Sequence, residues 1–139
     1  MVKSDAGLLK NAFEEAHRLE SSARTLFRTT TTHEIEFEGR KLAPNIKVQL
    51  FPGCANRDQR KWDRPDAFDL HRKQSALPLG FGSGIHRCIG QMIARFEADA
   101  LLNALVKRIR SLSLREQPTI RLNNCLRTYD KVPLDVELA

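Results

Sequence analysis

The sequence predicts an α+β fold, mainly α, in one domain spanning residues 1–139. Two stretches repeat apolar residues at helical spacing, one near the N-terminus and one after residue 88. Short β-branched or alternating runs lie between and after them. A long irregular segment ends in a glycine-rich loop.

Leu8, Leu9, Ala12, Phe13, Ala16 and Leu19 share one helical face, which predicts a helix over 6–20 capped by Ser4 or Asp5. Glu15 and Arg18 stand three apart on it, close enough to pair. The Ser21-Ser22 pair is a stop. Leu26 to Thr32 is rich in β-branched residues and reads as a strand. Glu34-Ile35-Glu36-Phe37 alternates as a half-buried strand does. The Glu38-Gly39 turn then sends Arg40 to Leu42 back as a hairpin. Lys47 to Phe51 is a further strand.

From Pro52 to Leu79 the chain reads as irregular, and a coil this long in a compact domain is functional or marks an incomplete domain. A long helix follows from about Cys88 to Arg110. Its stripe of Ile89, Met92, Ile93, Phe96, Ala100, Leu101, Ala104, Leu105 and Ile109 is expected to face the core. Its more polar face carries Arg95, Lys107, Arg108 and Arg110. Two short strand-like pieces, Thr119 to Leu122 and Leu134 to Leu138, end the chain.

Composition excludes several classes. Hydrophobic residues make up 41% and charged residues 29%, which is ordinary for a soluble domain and unlike collagen or a disordered chain. No apolar run approaches the ~20 residues that span a bilayer, and residues 1–10 lack a secretory apolar core. The expectation is a cytoplasmic protein with no membrane contact. Three widely spaced cysteines argue against a disulfide scaffold. The formal net charge is 23 − 17 = +6. Acids are scattered among the bases, and the densest basic stretches, Arg57 to Arg64 and Lys107 to Arg115, hold only Trp62 between them as a stacking residue. Nucleic acid is therefore not an expected partner.

The segment Phe81-Gly82-Ser83-Gly84-Ile85-His86-Arg87-Cys88-Ile89-Gly90 stands apart. Gly80, Gly82 and Gly84 permit positive φ and close approach of backbone to a flat ligand. Cys88 falls where the loop meets the predicted helix start, where free N–H groups and the helix dipole favour a thiolate. Arg87 adds to that, as does His86 when protonated. Such a cysteine can be a nucleophile, a redox thiol or a metal ligand. A nucleophile wants a base, and the i, i+2 spacing of His86 rarely aligns one. A redox thiol wants a resolving cysteine nearby, and zinc wants four ligands, but Cys54 and Cys125 stand alone. A single axial thiolate on heme iron asks for one cysteine, a tight loop and cations for the propionates.

The stretch fits the F-x-x-G-x-H-x-C-x-G signature and so resembles the cytochromes P-450, the heme-thiolate monooxygenases. Phe81, Gly84, His86, Cys88 and Gly90 all fall in place. Glu15-Ala16-His17-Arg18 looks like the family's E-x-x-R on its K helix. Phe27-Arg28-Thr29 looks like the strand with a propionate-binding arginine. Ala55-Asn56-Arg57-Asp58 resembles the N-R-D segment that enters the meander, and Pro65-Asp66-Ala67-Phe68 resembles P-x-R-F. The helix from Ile89 onward resembles the L helix. Phe27 to Thr31 and Phe81 to Glu97 look most like enzymes that oxidise para-substituted benzoates.

The resemblance implies the C-terminal part of the P-450 fold from a bacterial-type member: K helix, small β-sheet, meander, Cys-ligand loop and L helix. It implies heme b (iron protoporphyrin IX), with Cys88 as the iron ligand and so the metal-binding residue. His86 and Arg28 would bind propionates, Phe81 would pack near the sulfur, and Gly82 belongs to the cofactor-binding loop. It further implies monooxygenation of a small organic substrate, such as a para-substituted aromatic acid, with electrons from a ferredoxin or flavoprotein. Arg95, Lys107, Arg108, Arg110, Arg60, Lys61, Arg72 and Lys73 would give that donor a basic surface.

The sequence also departs from the pattern. Ala67 stands where the family's third triad member, an arginine, is expected, with Arg64 and Arg72 nearby. Ala43, Pro44 and Asn45 replace a Pro, small residue, Gly run, and Gln59 replaces a proline. The family's oxygen-activating I helix would lie upstream, so Met1 reads as an internal start or the edge of a truncated gene. The alternative function is then a non-catalytic remnant. Incompleteness further predicts exposed apolar faces on both long helices.

Overall fold

The computed structural model describes Asp5, residues 7–73 and residues 77–139. The first helix, α1 (Gly7–Glu20), starts where Asp5 Oδ1 accepts a 2.8 Å bond from the Gly7 amide. Ser4 and Ala6 lie outside the described residues. The helix stops at Ser21, which takes a positive φ of 40° and whose hydroxyl donates to the Arg18 carbonyl.

Four short strands follow: β1 (Leu26–Thr29), β2 (Ile35–Phe37), β3 (Arg40–Leu42) and β4 (Lys47–Leu50). The β2–β3 hairpin closes at Glu38 and Gly39, both at positive φ, as a two-residue turn of the favoured hand requires. Strand β1 pairs with β4 across it, placing Arg28 opposite Val48. Asn45 takes the left-handed conformation, φ 56°, that an asparagine accepts.

The segment after β4 is mostly irregular, as expected, with a four-residue helix, α2 (Pro52–Ala55), at its start and a 3₁₀ turn, Leu79–Phe81, at its end. The long helix α3 (Gln91–Arg108) begins three residues later and ends two residues earlier than predicted. Residues 109–114 leave it as strand β5 (Ile109–Leu114), where the pattern turns to period two. β5 pairs with β8 (Leu134–Leu138), and β6 (Thr119–Arg121) pairs with β7 (Thr128–Lys131). β5 and β7 are absent from the sequence-based expectation.

The apolar core of the described residues is small: Leu8, Leu9 and Trp62 are its buried members. The deeper burial is polar. Arg18 and Asn56 are fully buried, and Glu15 and Ser21 nearly so. Glu15 accepts 2.8 Å bonds from both Nε and Nη2 of Arg18. It also accepts from Arg72 Nε at 2.9 Å and from the Asp69 amide at 3.0 Å. Arg72 therefore takes the third place that Ala67 vacates, while the Ala67 carbonyl accepts from both arginines. Arg18 further donates to the carbonyls of Asn56 and Pro65 and lies over the Trp62 ring. Nearly every donor of these guanidiniums is used, which is what makes their burial tolerable.

The exposed-face expectation holds for α3 and fails for α1. Leu8 and Leu9 are buried, and Leu9 borders Leu102, Leu105 and Val106 of α3. On α3, however, the half-buried side is Ala94, Ala98, Leu102 and Val106. Of the predicted core stripe, Ile89, Met92, Ile93, Phe96 and Leu101 are exposed. The helix is apolar on two sides, and α1 covers the one with the smaller side chains, where backbones approach closely. Arg95, expected on the polar face, lies on the packed side, bound to Glu14 of α1 at 2.5 Å.

Burial pushes the Glu15 carboxyl up, but the bonds from Arg18, Arg72 and the Asp69 amide outweigh it and lower it from 4.5 to about 2. The unfolded chain therefore takes up this proton first as pH falls. Stability from this group is complete above pH 4.5 and is lost as pH drops toward about 2. Acid titration followed by circular dichroism should show that loss, and Glu15→Gln should flatten it. Glu15→Ala, which strands two buried guanidiniums, should cost about 3–5 kcal/mol in urea denaturation. Asn56→Ala should cost about 1–3 kcal/mol, because its amide bridges the Ser21 hydroxyl and the Leu79 amide at 2.8 Å each.

Candidate functional site

The loop that carries Cys88 is mounted on α1 and α3. Its first turn, Leu79–Phe81, is tied down by Asn56 Oδ1, which accepts from the Leu79 amide. Gly82 follows at φ 72°, ψ −175°, and a Cβ there would also sit 3.1 Å from the His86 carbonyl. Gly84, at φ 61°, opens a second 3₁₀ turn, Gly84–His86, which closes with Arg87 N–H donating to the Gly84 carbonyl at 3.1 Å. The chain then doubles back, and the Cys88 amide donates to the Phe81 carbonyl at 2.8 Å. That bond makes residues 81–88 a closed bend with its sulfur outward.

Cys88 is exposed. It does not begin the helix: Gly90 caps α3, and Cys88 contributes only its carbonyl, which accepts from the Gln91 amide at 3.4 Å. The predicted start at residue 88 is corrected by Ile89 and Gly90, which form a turn before the helix. A Cβ at Gly90 would lie 3.8 Å from the Cys88 sulfur, so the glycine keeps the helix start close beneath it. Ile85 and Ile89 flank the cysteine at 97% and 99% exposure. Two isoleucines so fully bared in the same short segment leave apolar surface on the loop.

Phe81 is half-buried with its ring between two partners. The His17 imidazole stacks on one side at 4.0 Å between centroids, and the Arg95 guanidinium lies 4.8 Å from the ring centre. Gly80 differs from the other loop glycines. A Cβ there would meet the His17 ring at 2.5 Å, so the close approach it permits is to that imidazole and not to a flat ligand. His86 is exposed and forms no side-chain hydrogen bond among the described residues. Arg28 is half-buried on β1, and its Nη1 donates to the Phe27 carbonyl at 2.7 Å. Neither touches Cys88 through a hydrogen bond.

Elsewhere, Cys54 and Cys125 are exposed, which overturns the reading of two lone cysteines as small buried or half-buried residues. Cys54 borders a cavity of about 730 Å³ that also meets Phe27, Arg57 and Arg127, away from Cys88. The described residues hold no cluster of three or more His, Cys, Asp or Glu placed for a metal ion. The basic surface is smaller than expected. Arg72 is bound to Glu15, Arg95 to Glu14, Arg60 to Asp58 and Arg110 to Glu137. Lys61, Lys73, Lys107 and Arg108 remain without an ion pair among the described residues. Sequence reasoning missed His17, Glu14 and Arg95 as supports of the loop. The only signal was Glu14 and His17 on the same helix as Glu15 and Arg18.

Residues 4–131 match the family described as Cytochrome P450. Cytochrome p450 CYP199A2 of Rhodopseudomonas palustris is 42% identical over 135 residues, which is 97% of this chain and 32% of that protein. Vitamin D3 dihydroxylase of Streptomyces griseolus is 33% identical over 136 residues, 96% of this chain and 33% of the relative. Among solved structures, CYP108D1 from Novosphingobium aromaticivorans superposes with a TM-score of 0.92 at 32% identity, covering 99% of this chain and 33% of its own. P450BioI, solved in complex with an acyl carrier protein ligated to hexadec-9Z-enoic acid, gives 0.90 at 32%, covering 98% and 35%. The chain spans about a third of the length of the relatives it matches. With a family match over most of its residues and a partial P450 fold around the Cys88 loop, the chain belongs to the cytochrome P450 family.

Proposed function

We propose that this chain is the heme-binding portion of a heme-thiolate monooxygenase, with Cys88 as the axial iron ligand. The observation that carries the reading is the exposed Cys88 on a bend closed by its own amide, with Ile85 and Ile89 bared in the same segment. That donor set suits an iron porphyrin. One sulfur is available to the metal, and isoleucines offer apolar contact to a flat macrocycle. Gly84 has open space where a side chain would stand. Arg28 would supply a cation, and His86 a hydrogen-bond donor, for the propionates. The cofactor is heme b, iron protoporphyrin IX, whose chemistry is the activation of dioxygen for insertion of one oxygen atom into substrate.

The residues of the chain do the rest. Cys88 would hold the heme iron through its thiolate, which would supply electron density to it. The Cys88–Phe81 backbone bond sets where the cysteine stands, while the Phe81 ring packs on His17 and Arg95 rather than over the sulfur. The substrate is a small organic molecule, and a para-substituted aromatic acid is the class the sequence of the loop and of β1 favours. Electrons come from a ferredoxin or flavoprotein. The net charge of +6 supports an acidic donor, although the ion pairs above leave fewer free cations to steer it than the sequence suggested. No helix among the described residues is long and apolar enough to cross a membrane.

The open face of α3 favours a second reading for these 139 residues by themselves. Met92, Ile93 and Phe96 lie bare beside the loop, so a bound heme would meet water, and the chain would bind it without turning substrate over.

Reduction of the heme-loaded chain under carbon monoxide should give the red-shifted Soret band of thiolate ligation. Cys88→Ala should abolish it, while Cys54→Ala and Cys125→Ala leave it unchanged. Equal spectra for Cys88→Ala and parent would end the proposal. Heme titration of Arg28→Ala and His86→Ala should show affinities weaker by about 10- to 150-fold each, the value of a charge-assisted bond of about 1.5–3 kcal/mol. Product formation from a supplied aromatic acid separates the monooxygenase from the heme-binding portion that does not turn over.

A further inference from the structure

We propose that His17 is a positioning residue for the cysteine loop. Neutral, it clamps Phe81 against Arg95, and on taking a proton it releases that ring and with it the bend that holds Cys88. The effect on the loop rests on how the ring is packed and charged, and its effect on iron ligation rests on the reading of Cys88 above.

The imidazole is held on three sides. Phe13 lies parallel to it, with 6.0 Å between centroids and 3° between planes. Phe81 stacks on it at 4.0 Å. The Gly80 backbone is so close that a Cβ there would be 2.5 Å from Cε1 and Nε2. His17 Nε2 is buried and has no hydrogen-bond partner. An unpartnered polar atom in an aromatic slot is costly and needs a reason. A leucine or phenylalanine would fill that slot without the cost.

The charges around the ring supply the reason. On α1 itself, Glu14 favours the charged form of His17. From α3, Arg95 opposes it, and Arg95 is also the cation on Phe81. Residues 79–81 contribute no ionisable side chain. Burial, the largest influence, pushes His17 below its ordinary 6.5, with Arg95 acting in the same direction and Glu14 against. The neutral ring therefore belongs to the clamped state. Protonation places a second cation against Phe81 with no acceptor for Nε2, and the ring must leave to reach water. Phe81 is the residue whose carbonyl holds the Cys88 amide, so its displacement loosens the bend. The sign follows: the clamp is fully closed above pH 6.5 and opens as pH falls below it.

The test has a heme-free arm and a heme-loaded arm. In the first, the full chain with ring-labelled phenylalanine is titrated by NMR from about pH 8 to about pH 5, with Phe81 assigned by Phe81→Leu. The Phe81 resonance should move with the same midpoint as His17, below 6.5. In His17→Phe, which keeps a stacked ring but takes no proton, it should stay fixed. In Glu14→Gln, which keeps His17, the midpoint should fall further, so the test survives a misfolded His17 variant. In the second arm, the thiolate Soret band of the reduced carbonyl complex should fade with that midpoint in the parent and persist across the range in His17→Phe. A Phe81 resonance that ignores the His17 titration overturns the clamp, as does one pH profile shared by parent and His17→Phe. A parent chain with no thiolate band at about pH 8, but with Phe81 moving alongside His17, overturns the axial-ligand reading and upholds the clamp.

Discussion

The Glu15 carboxylate, buried between two guanidiniums, is the interaction on which the rest of the structure depends. With Leu8, Leu9 and Trp62 as the buried hydrophobic side chains among its described residues, the chain has little hydrophobic area to organise it. The carboxylate instead gathers α1, the Asp69 amide and Arg72 into one knot, and Arg18 extends it to the carbonyls of Asn56, Pro65 and Ala67. Buried charges give modest net stability, because desolvation opposes their attraction. What they impose is geometry, since each donor must find its acceptor. That requirement fixes the path of an irregular segment that has little regular secondary structure to hold it.

The same helix serves the cysteine loop. From α1, Glu15 and Arg18 face the irregular segment, while His17 and Glu14 face residues 79–81 and α3. Asn56 joins the two sides, with its carbonyl on Arg18 and its side chain on Ser21 and Leu79. A cysteine proposed as a metal ligand needs such a mount, because a loop positioned only by its own turns would wander. Here the bend is internally closed by Cys88 and Phe81, and externally gripped at Phe81 by two elements.

Helix α3 shows how one element divides its labour. Its small residues, Ala94 and Ala98, meet α1, and Arg95 reaches across to Glu14. Its large residues, Met92, Ile93 and Phe96, look outward. In the P450 relatives the matched region is about a third of the chain.

Local spacing carried what the sequence could determine by itself. The Cys88 loop, the Glu15–Arg18 pair and the Glu38-Gly39 hairpin all depend on neighbours within about ten residues, where backbone geometry ties position to contact. Tertiary structure alone decided four things. It chose Arg72, 57 residues from Glu15, over Arg64 as the third charge. It chose the small-residue side of α3 for packing, although periodicity pointed to the larger stripe. It also set His17 and Arg95 against Phe81, and made β5 a strand by supplying β8 as its partner. Periodicity records that a surface is apolar or a side chain charged. Which distant group meets it depends on the path of the chain, and that path is fixed only when the buried charges are all satisfied together.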